Sequence, residues 1–122
     1  MRHTASSLVA FGLSLFVASP ASAASYDCSR ARGVDEVTVC RSPLLSGLDS
    51  EMGAYWHVYA LAPLAMTGNA MRADAARQFL ERRHSCGRNV ACLTGLYRRR
   101  IAELRREVDA MVADYVERMN GN

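Results

Sequence analysis

Apolar residues recur at helical spacing along most of the chain. Between positions 45 and 59 they fall at steps of one, three and four: Leu45, Leu48, Met52, Tyr55, Trp56 and Tyr59. Between positions 93 and 115 the steps of three and four form nearly a heptad repeat: Leu93, Tyr97, Ile101, Leu104, Val108, Met111 and Tyr115. Such steps place apolar side chains on one face of a helix, whereas strands alternate every second residue. Strand-type alternation is missing, so the pattern predicts an all-α chain.

Turn and capping residues divide this pattern into four helices. We expect a short first helix over 34–40, a second that begins after Ser42 with Pro43 in its first turn, and a stop before Pro63. The stretch "LAMTGN" is expected to be a loop, and the third helix to span 70–85. Its inward residues are expected to be Met71, Ala75, Ala76, Phe79 and Leu80.

The fourth helix is predicted over 89–119 and is the longest. At 1.5 Å per residue it reaches roughly 45 Å, which is longer than a domain of this size needs. Its last turns therefore either project from the domain, where they can pair with a second copy, or fold back on the second helix. The expected architecture is a small four-helix domain with a long C-terminal helix.

The first 23 residues have the features of a cleaved secretory signal. Arg2 and His3 precede an apolar run over 8–18, and "ASA" at 21–23 suits a signal peptidase. A transmembrane anchor is the alternative, but the run is shorter than the roughly 20 residues that a spanning helix needs. We therefore expect one domain over 24–122, periplasmic or secreted, that does not span the membrane after cleavage.

Four cysteines fit this compartment as two disulfides: Cys28, Cys40, Cys86 and Cys92. Their spacing suits neither the short cysteine pairs of a zinc site nor a C-x-x-C redox motif, so no metal or cofactor is predicted. Three pairings are possible. We favour 28–40 with 86–92, because Gly87 and Asn89 indicate a tight corner between the third and fourth helices.

Charge is uneven along the chain, which carries 15 arginines, no lysine and 12 acidic residues. Residues 24–71 hold three arginines against five acids, and residues 72–122 hold eleven against seven. Nucleic acid is not expected as a partner of an exported protein. The fourth helix carries an arginine ridge, defined as Arg98, Arg99, Arg105 and Arg106. It can meet anionic envelope components, unless these arginines pair with Glu103 on their own helix.

Three stretches carry a family resemblance: residues 26–40, 42–52 and 77–104. They resemble the LprI-type lysozyme-inhibitor N-terminal domain family, over about 26–104, with 105–122 as a C-terminal extension. The matching positions are Tyr26, Asp27, Cys28, Glu36, Cys40, Pro43, Leu48, Asp49, Glu51, Arg83, Cys86, Cys92, Tyr97, Arg100 and Ile101. The resemblance implies an exported, all-helical, disulfide-stapled domain that inhibits lysozyme.

The chain departs from that family at three points. Gly33 and Val34 stand where the family has Thr or Ser followed by Pro, and Phe79 stands where it often has Trp. His84 replaces an Asp, which removes an expected partner of Arg83.

No catalytic set stands out in the sequence. His57 and His84 are far apart and lack a nucleophile motif, so we expect a binding protein and not an enzyme. The first hypothesis is an inhibitor that covers the lysozyme cleft through acidic residues of its N-terminal half: Asp27, Asp35, Glu36, Asp49 and Glu51. The alternative is an envelope-interaction protein without lysozyme activity that acts through the arginine ridge.

Overall fold

The computed structural model describes residues 24–63 and 66–121, and the predicted signal segment lies outside them. A 3-10 turn, Cys28–Arg30, comes first. Four α-helices follow, α1 (Val34–Arg41), α2 (Pro43–Ala60), α3 (Met66–Cys86) and α4 (Val90–Asn120). The described chain contains no strand, which confirms the all-α prediction with a long C-terminal helix. None of the described helices is long and apolar enough to cross a membrane.

The predicted caps start α2 and α4. The Ser42 hydroxyl accepts a hydrogen bond from the backbone N–H of Leu45 at 3.3 Å, and Pro43 occupies the first turn. The Asn89 side-chain oxygen accepts one from the N–H of Cys92 at 3.0 Å. Each cap satisfies a backbone donor that has no partner inside its helix, so local sequence sets where these two helices begin.

Helix α3 begins four residues earlier than the sequence pattern predicts. It starts at Met66, so Gly68 and Asn69 lie within a helix and not in the expected loop. Arg72 supplies the reason: its guanidinium donates to the Tyr59 carbonyl at 2.7 Å and to the Asn69 side chain at 2.6 Å. This arginine ties the first turns of α3 to the end of α2, and tertiary contact offsets the poor helix propensity of Gly and Asn.

The core lies where the first half of α4 packs between α2 and α3, with α1 against both α2 and α3. Its buried cluster comprises Val39, Leu45, Phe79, Leu93, Leu96 and Tyr97. On α3 the predicted inward face is partly wrong, since Met71 is 69% and Leu80 is 51% exposed. Among the described side chains of α3, Phe79 and Arg83 are buried. They lie one turn apart and define a narrow strip, and Met71 and Leu80 lie beside it.

The last turns of α4, from Val112 onward, project from the domain, whereas Val108 and Met111 before them are half-buried. Ile101 and Leu104 are buried, but Val112 is 50%, Tyr115 is 59% and Met119 is 63% exposed. Of the two alternatives for this segment, projection is therefore the one observed, and folding back onto α2 is not.

Both favoured disulfides are present. Cys28–Cys40 ties the N-terminal segment to the end of α1, with Cα atoms 5.7 Å apart, and Cys86–Cys92 closes the α3–α4 corner at 5.6 Å. Gly87 takes φ +56°, a left-handed conformation that favours glycine at a helix end. The corner thus has a covalent bridge and a backbone turn that require the same geometry.

Candidate functional site

A buried ion pair joins α3 to α1. The Arg83 Nε donates to Asp35 Oδ2 at 2.7 Å, and the two residues are only 9% and 3% exposed. Glu36 lies 3.6 Å from the same guanidinium, whose Cζ also lies 5.7 Å from the centre of the Tyr26 ring. Arg83 therefore has acidic partners on α1, although position 84 carries histidine and not the aspartate expected from the resemblance.

A second buried group joins α4, α2 and the N-terminal segment. The Tyr97 hydroxyl donates to Asp49 Oδ1 at 2.7 Å. The other oxygen of Asp49 accepts from the Ser25 backbone N–H at 2.7 Å and from the Ser25 hydroxyl at 2.6 Å. Asp49 is 1% exposed and Tyr97 is fully buried. Among the described residues every buried side-chain nitrogen or oxygen has a hydrogen-bond partner, so burial of this carboxylate is compensated.

These contacts shift the titration of the groups that make them. Burial raises the pKa of Asp35, but the hydrogen bond and charge of Arg83 outweigh it, and the net pKa lies below the usual value. Burial raises the pKa of Tyr26 to about 12, although Arg83 opposes the change. Burial, together with Asp49, raises the pKa of Tyr97 further. Both tyrosines therefore stay neutral hydrogen-bond donors at physiological pH.

The acidic residues expected to face a partner divide between interior and surface. Asp35 and Asp49 are interior and bonded within the molecule, so they hold the fold and are not displayed to a partner. Asp27 and Glu51 are exposed, and Glu36 is partly exposed. The acidic surface available in the N-terminal half is thus smaller than the sequence suggests.

Two of the remaining acidic residues are also capping groups. Glu36 Oε2 accepts from the backbone N–H of Arg32 at 2.9 Å and of Gly33 at 3.0 Å, which fixes the start of α1. Asp27 accepts from the Ser29 N–H at 2.9 Å. Glu36 therefore has a local structural role even though part of it reaches solvent.

The arginine ridge is exposed, but its four members are not equivalent. Arg105 is tied to α2, because its Nε donates to the Tyr55 hydroxyl at 3.0 Å and its NH2 nitrogen lies 3.7 Å from Glu51. Within the described chain, the other three form no hydrogen bond or salt bridge: Arg98, Arg99 and Arg106.

Glu103 does not neutralise the ridge as the alternative interpretation expects. It lies 3.3 Å from Arg100, which is mostly buried. The ridge therefore offers three guanidinium groups to solvent without a bonded carboxylate.

Sequence reasoning did not find the pocket that opens between α2, α3 and α4. Its volume is about 340 Å³, and Met52, Trp56 and Phe79 contribute much of its apolar wall, with Asp49 and Arg83 beside them. Small-molecule sites have volumes of roughly 300–1,000 Å³ and mix apolar walls with a few polar groups. The sequence signal for this pocket was the apolar face of α2 that includes Met52 and Trp56, and such a face is equally typical of a helix that packs on a core.

No metal centre is formed by the described residues: no group of three or more His, Cys, Asp or Glu side chains is placed to hold an ion. His57 and His84 are both exposed, and His84 lies 3.5 Å from Asp35.

Comparison with known proteins identified no relative of this chain. No family model matches the chain, and no curated protein or solved structure is significantly similar to it. Any function must therefore be argued from the motif residues and from the surfaces described above.

Proposed function

We propose that this protein is a binding protein that inhibits lysozyme. The observation that supports the proposal is that motif residues named in the resemblance cooperate in space. Asp49 bonds to Tyr97, and Arg83 lies against Tyr26 and Glu36. The motif residues are therefore in contact with one another in the folded chain and are not only similar in sequence. Because these motif residues are in contact, lysozyme inhibition, the activity that the resemblance implies, is the first to test.

The contacts with lysozyme would come from residues outside that interior. Asp27 and Glu51 are the exposed acids of the N-terminal half, and their charge is opposite to that of a basic lysozyme surface. The two disulfides hold the segments next to the helices in place. A rigid surface loses little conformational entropy on binding, which favours affinity.

Lysozyme turnover tests the proposal. The protein, purified after export from cells that express the full chain, is titrated to tens of micromolar against lysozyme acting on bacterial cell walls. We expect turnover to fall and to saturate near an equimolar ratio. Unchanged turnover together with no heat in calorimetry would sink the proposal.

A paired set of variants locates the contact surface. Asp27→Asn with Glu51→Gln is expected to weaken inhibition several-fold, because surface charges mainly set the association rate. Asp74→Asn with Asp114→Asn removes the same charge from α3 and α4 and is expected to have little effect. Equal inhibition by both double variants would show that the acidic pair is not part of the contact.

The arginine ridge supports a second candidate function, binding of anionic envelope components without lysozyme activity. The observation that supports this candidate is that three exposed guanidinium groups lack a bonded carboxylate: Arg98, Arg99 and Arg106. Screening by salt weakens exposed charge contacts, so sedimentation with peptidoglycan or anionic vesicles is run at low and high salt. Arg→Glu at these three positions is expected to abolish binding, whereas Arg→Glu at 30, 77 and 118 is not. Binding that is indifferent to both sets rules the ridge out.

We also propose that the chain is exported and cut after Ala23. Two disulfides suit an oxidising compartment. Intact-mass measurement of the exported protein is expected to show a chain that begins at Ala24, and a chain that keeps residues 1–23 contradicts this.

The projecting end of α4 supports a proposal of self-association. Its exposed apolar side chains Val112, Tyr115 and Met119 share one face. The near-heptad spacing of the buried residues of α4 continues into this segment. A second copy of the same helix would cover this face in a short coiled coil.

A further inference from the structure

Three arginines from two segments that are distant in sequence line one groove. Arg32 precedes α1, Arg41 lies in its last turn, and Arg88 lies in the corner between α3 and α4. The groove has a volume of about 470 Å³, and no acidic side chain is among the described residues that line it. The fold therefore brings three positive charges to one place that the sequence pattern does not reveal.

These charges lack a counterion within the described chain. Arg41 and Arg88 are exposed and form no hydrogen bond or salt bridge there. Arg32 donates from its NH1 nitrogen to the backbone carbonyls of Ser29 and Ala31, at 3.2 and 2.9 Å. Those bonds hold the Arg32 side chain in position without neutralising it, and like charges close together are unfavourable unless an anion joins them.

Valine methyl groups lie between the arginines. Val34 and Val90 are 46% and 45% exposed, and Val37 also lines the groove. These short side chains suit small aliphatic groups, whereas an acyl chain would need a deeper apolar cavity. The ligand that fits is one that presents negative groups and small apolar groups on the same side.

We propose that this groove binds an extended acidic peptide segment whose carboxylates meet Arg32, Arg41 and Arg88 and whose small aliphatic side chains lie on the valines. A guanidinium presents two parallel N–H donors that match the two oxygens of a carboxylate. The proposal does not depend on lysozyme inhibition, because neither Asp27 nor Glu51 lines the groove and its charge is opposite to theirs.

Calorimetry and amide chemical-shift mapping test it with a defined probe. The probe is the acetylated, amidated peptide Glu-Ala-Val-Ala-Glu-Ala-Glu, in which the Glu and Val side chains share one face of an extended chain. Its Gln-Ala-Val-Ala-Gln-Ala-Gln counterpart is the neutral control. We expect the acidic peptide alone to bind, with shifts centred on Val34, Val37 and Val90. Raising sodium chloride from about 50 to about 500 mM is expected to weaken binding strongly, since salt screens exposed charges.

Matched variants separate the groove from general positive charge. Arg41→Gln with Arg88→Gln is expected to weaken binding about tenfold or more, because two charge-assisted contacts are lost. Arg77→Gln with Arg118→Gln removes equal charge elsewhere and is expected to change binding less than about twofold. Val34→Thr keeps the side-chain shape but replaces a methyl group with a hydroxyl, and it is expected to weaken binding.

Three results would overturn the proposal. The first is equal binding of the acidic and neutral peptides, or no binding of either at millimolar concentration. The second is equal weakening by the two arginine double variants. The third is saturable binding of inorganic phosphate or phosphatidylglycerol vesicles through Arg41 and Arg88 without binding of the acidic peptide, which would assign the groove to phosphate groups.

Discussion

Replacement of Arg83 is expected to lower the free energy of unfolding strongly. Replacing it with Met leaves Asp35 buried without its main partner, and breaking one side of a buried ion pair typically costs about 3–5 kcal/mol. We expect urea denaturation to show a loss of that size in the free energy of unfolding.

A compensating change checks this interpretation. In the double variant Arg83→Met with Asp35→Leu no buried charge is left unpaired, since Glu36 is partly exposed, and apolar replacement of a buried pair is often neutral. Most of the stability is therefore expected to return. A double variant as unstable as the single one would mean that Arg83 acts through packing and not through Asp35.

Asp35 also makes stability depend on pH. Its pKa is lower in the folded chain than the usual 3.8 because Arg83 stabilises the carboxylate. The stabilisation is therefore present above about pH 4 and is lost as the pH falls through the folded pKa. Denaturation measured from about pH 6 to pH 2 is expected to show a falling free energy of unfolding below about pH 4. Asp35→Asn should be less stable at pH 6 and show a shallower fall, and parallel curves would contradict the assignment.

The residues that sequence analysis misplaced are those paired over long distances. Asp35 and Arg83, like Asp49 and Tyr97, are 48 positions apart. The residues that flank an aspartate in sequence do not reveal that its hydrogen-bond partner lies on another helix. A signal did exist: Asp49 lies four residues after Leu45, on the same buried face of α2. An acid inside an apolar stripe indicates a buried, partnered carboxylate more than a surface contact.

At the scale of helices, the two glycines of α2 have different environments. A Cβ on Gly53 would lie 2.8 Å from the Ser25 side chain, whereas a Cβ on Gly47 would meet nothing within 4 Å. Gly53→Ala is expected to displace the segment that supplies the Ser25 bonds to Asp49 and to destabilise the fold. Gly47→Ala should stabilise it by about 0.5–1 kcal/mol through better helix propensity. Thermal melts of the two variants decide it, and shifts of the same sign would contradict the proposed packing.

Helix starts and the stapled corner were predictable because their causes are local. Ser42, Asn89 and Gly87 act within three residues of themselves, so the chain displays them without tertiary information. The start of α3 was missed for the opposite reason, since Arg72 reaches across to Tyr59 on another helix. The arginine groove was missed in the same way, because it assembles from the α1 segment and the α3–α4 corner, which are distant in sequence.

For the whole molecule, the projecting end of α4 predicts concentration-dependent dimerisation. Burial of apolar surface drives helix pairing, so Val112→Glu with Tyr115→Glu is expected to keep the protein monomeric. Ala110 and Ala113 are also exposed but lie away from that face, so their Glu variants should still associate. Sedimentation velocity from about 10 to about 300 μM measures this. A native protein that is monomeric throughout would contradict the prediction.

The pairing of the cysteines has a consequence for how the chain matures. Each bridge joins a cysteine to the next one along the chain, with separations of 12 and 6 positions. A thiol oxidase that acts in order, as a chain emerges from its N-terminus, would therefore make the native bonds without later reshuffling. Each loop is short, so closing it costs little entropy and does not need the helices to meet first. We expect oxidative refolding from the reduced state to give the native isomer at the same yield with or without a disulfide isomerase.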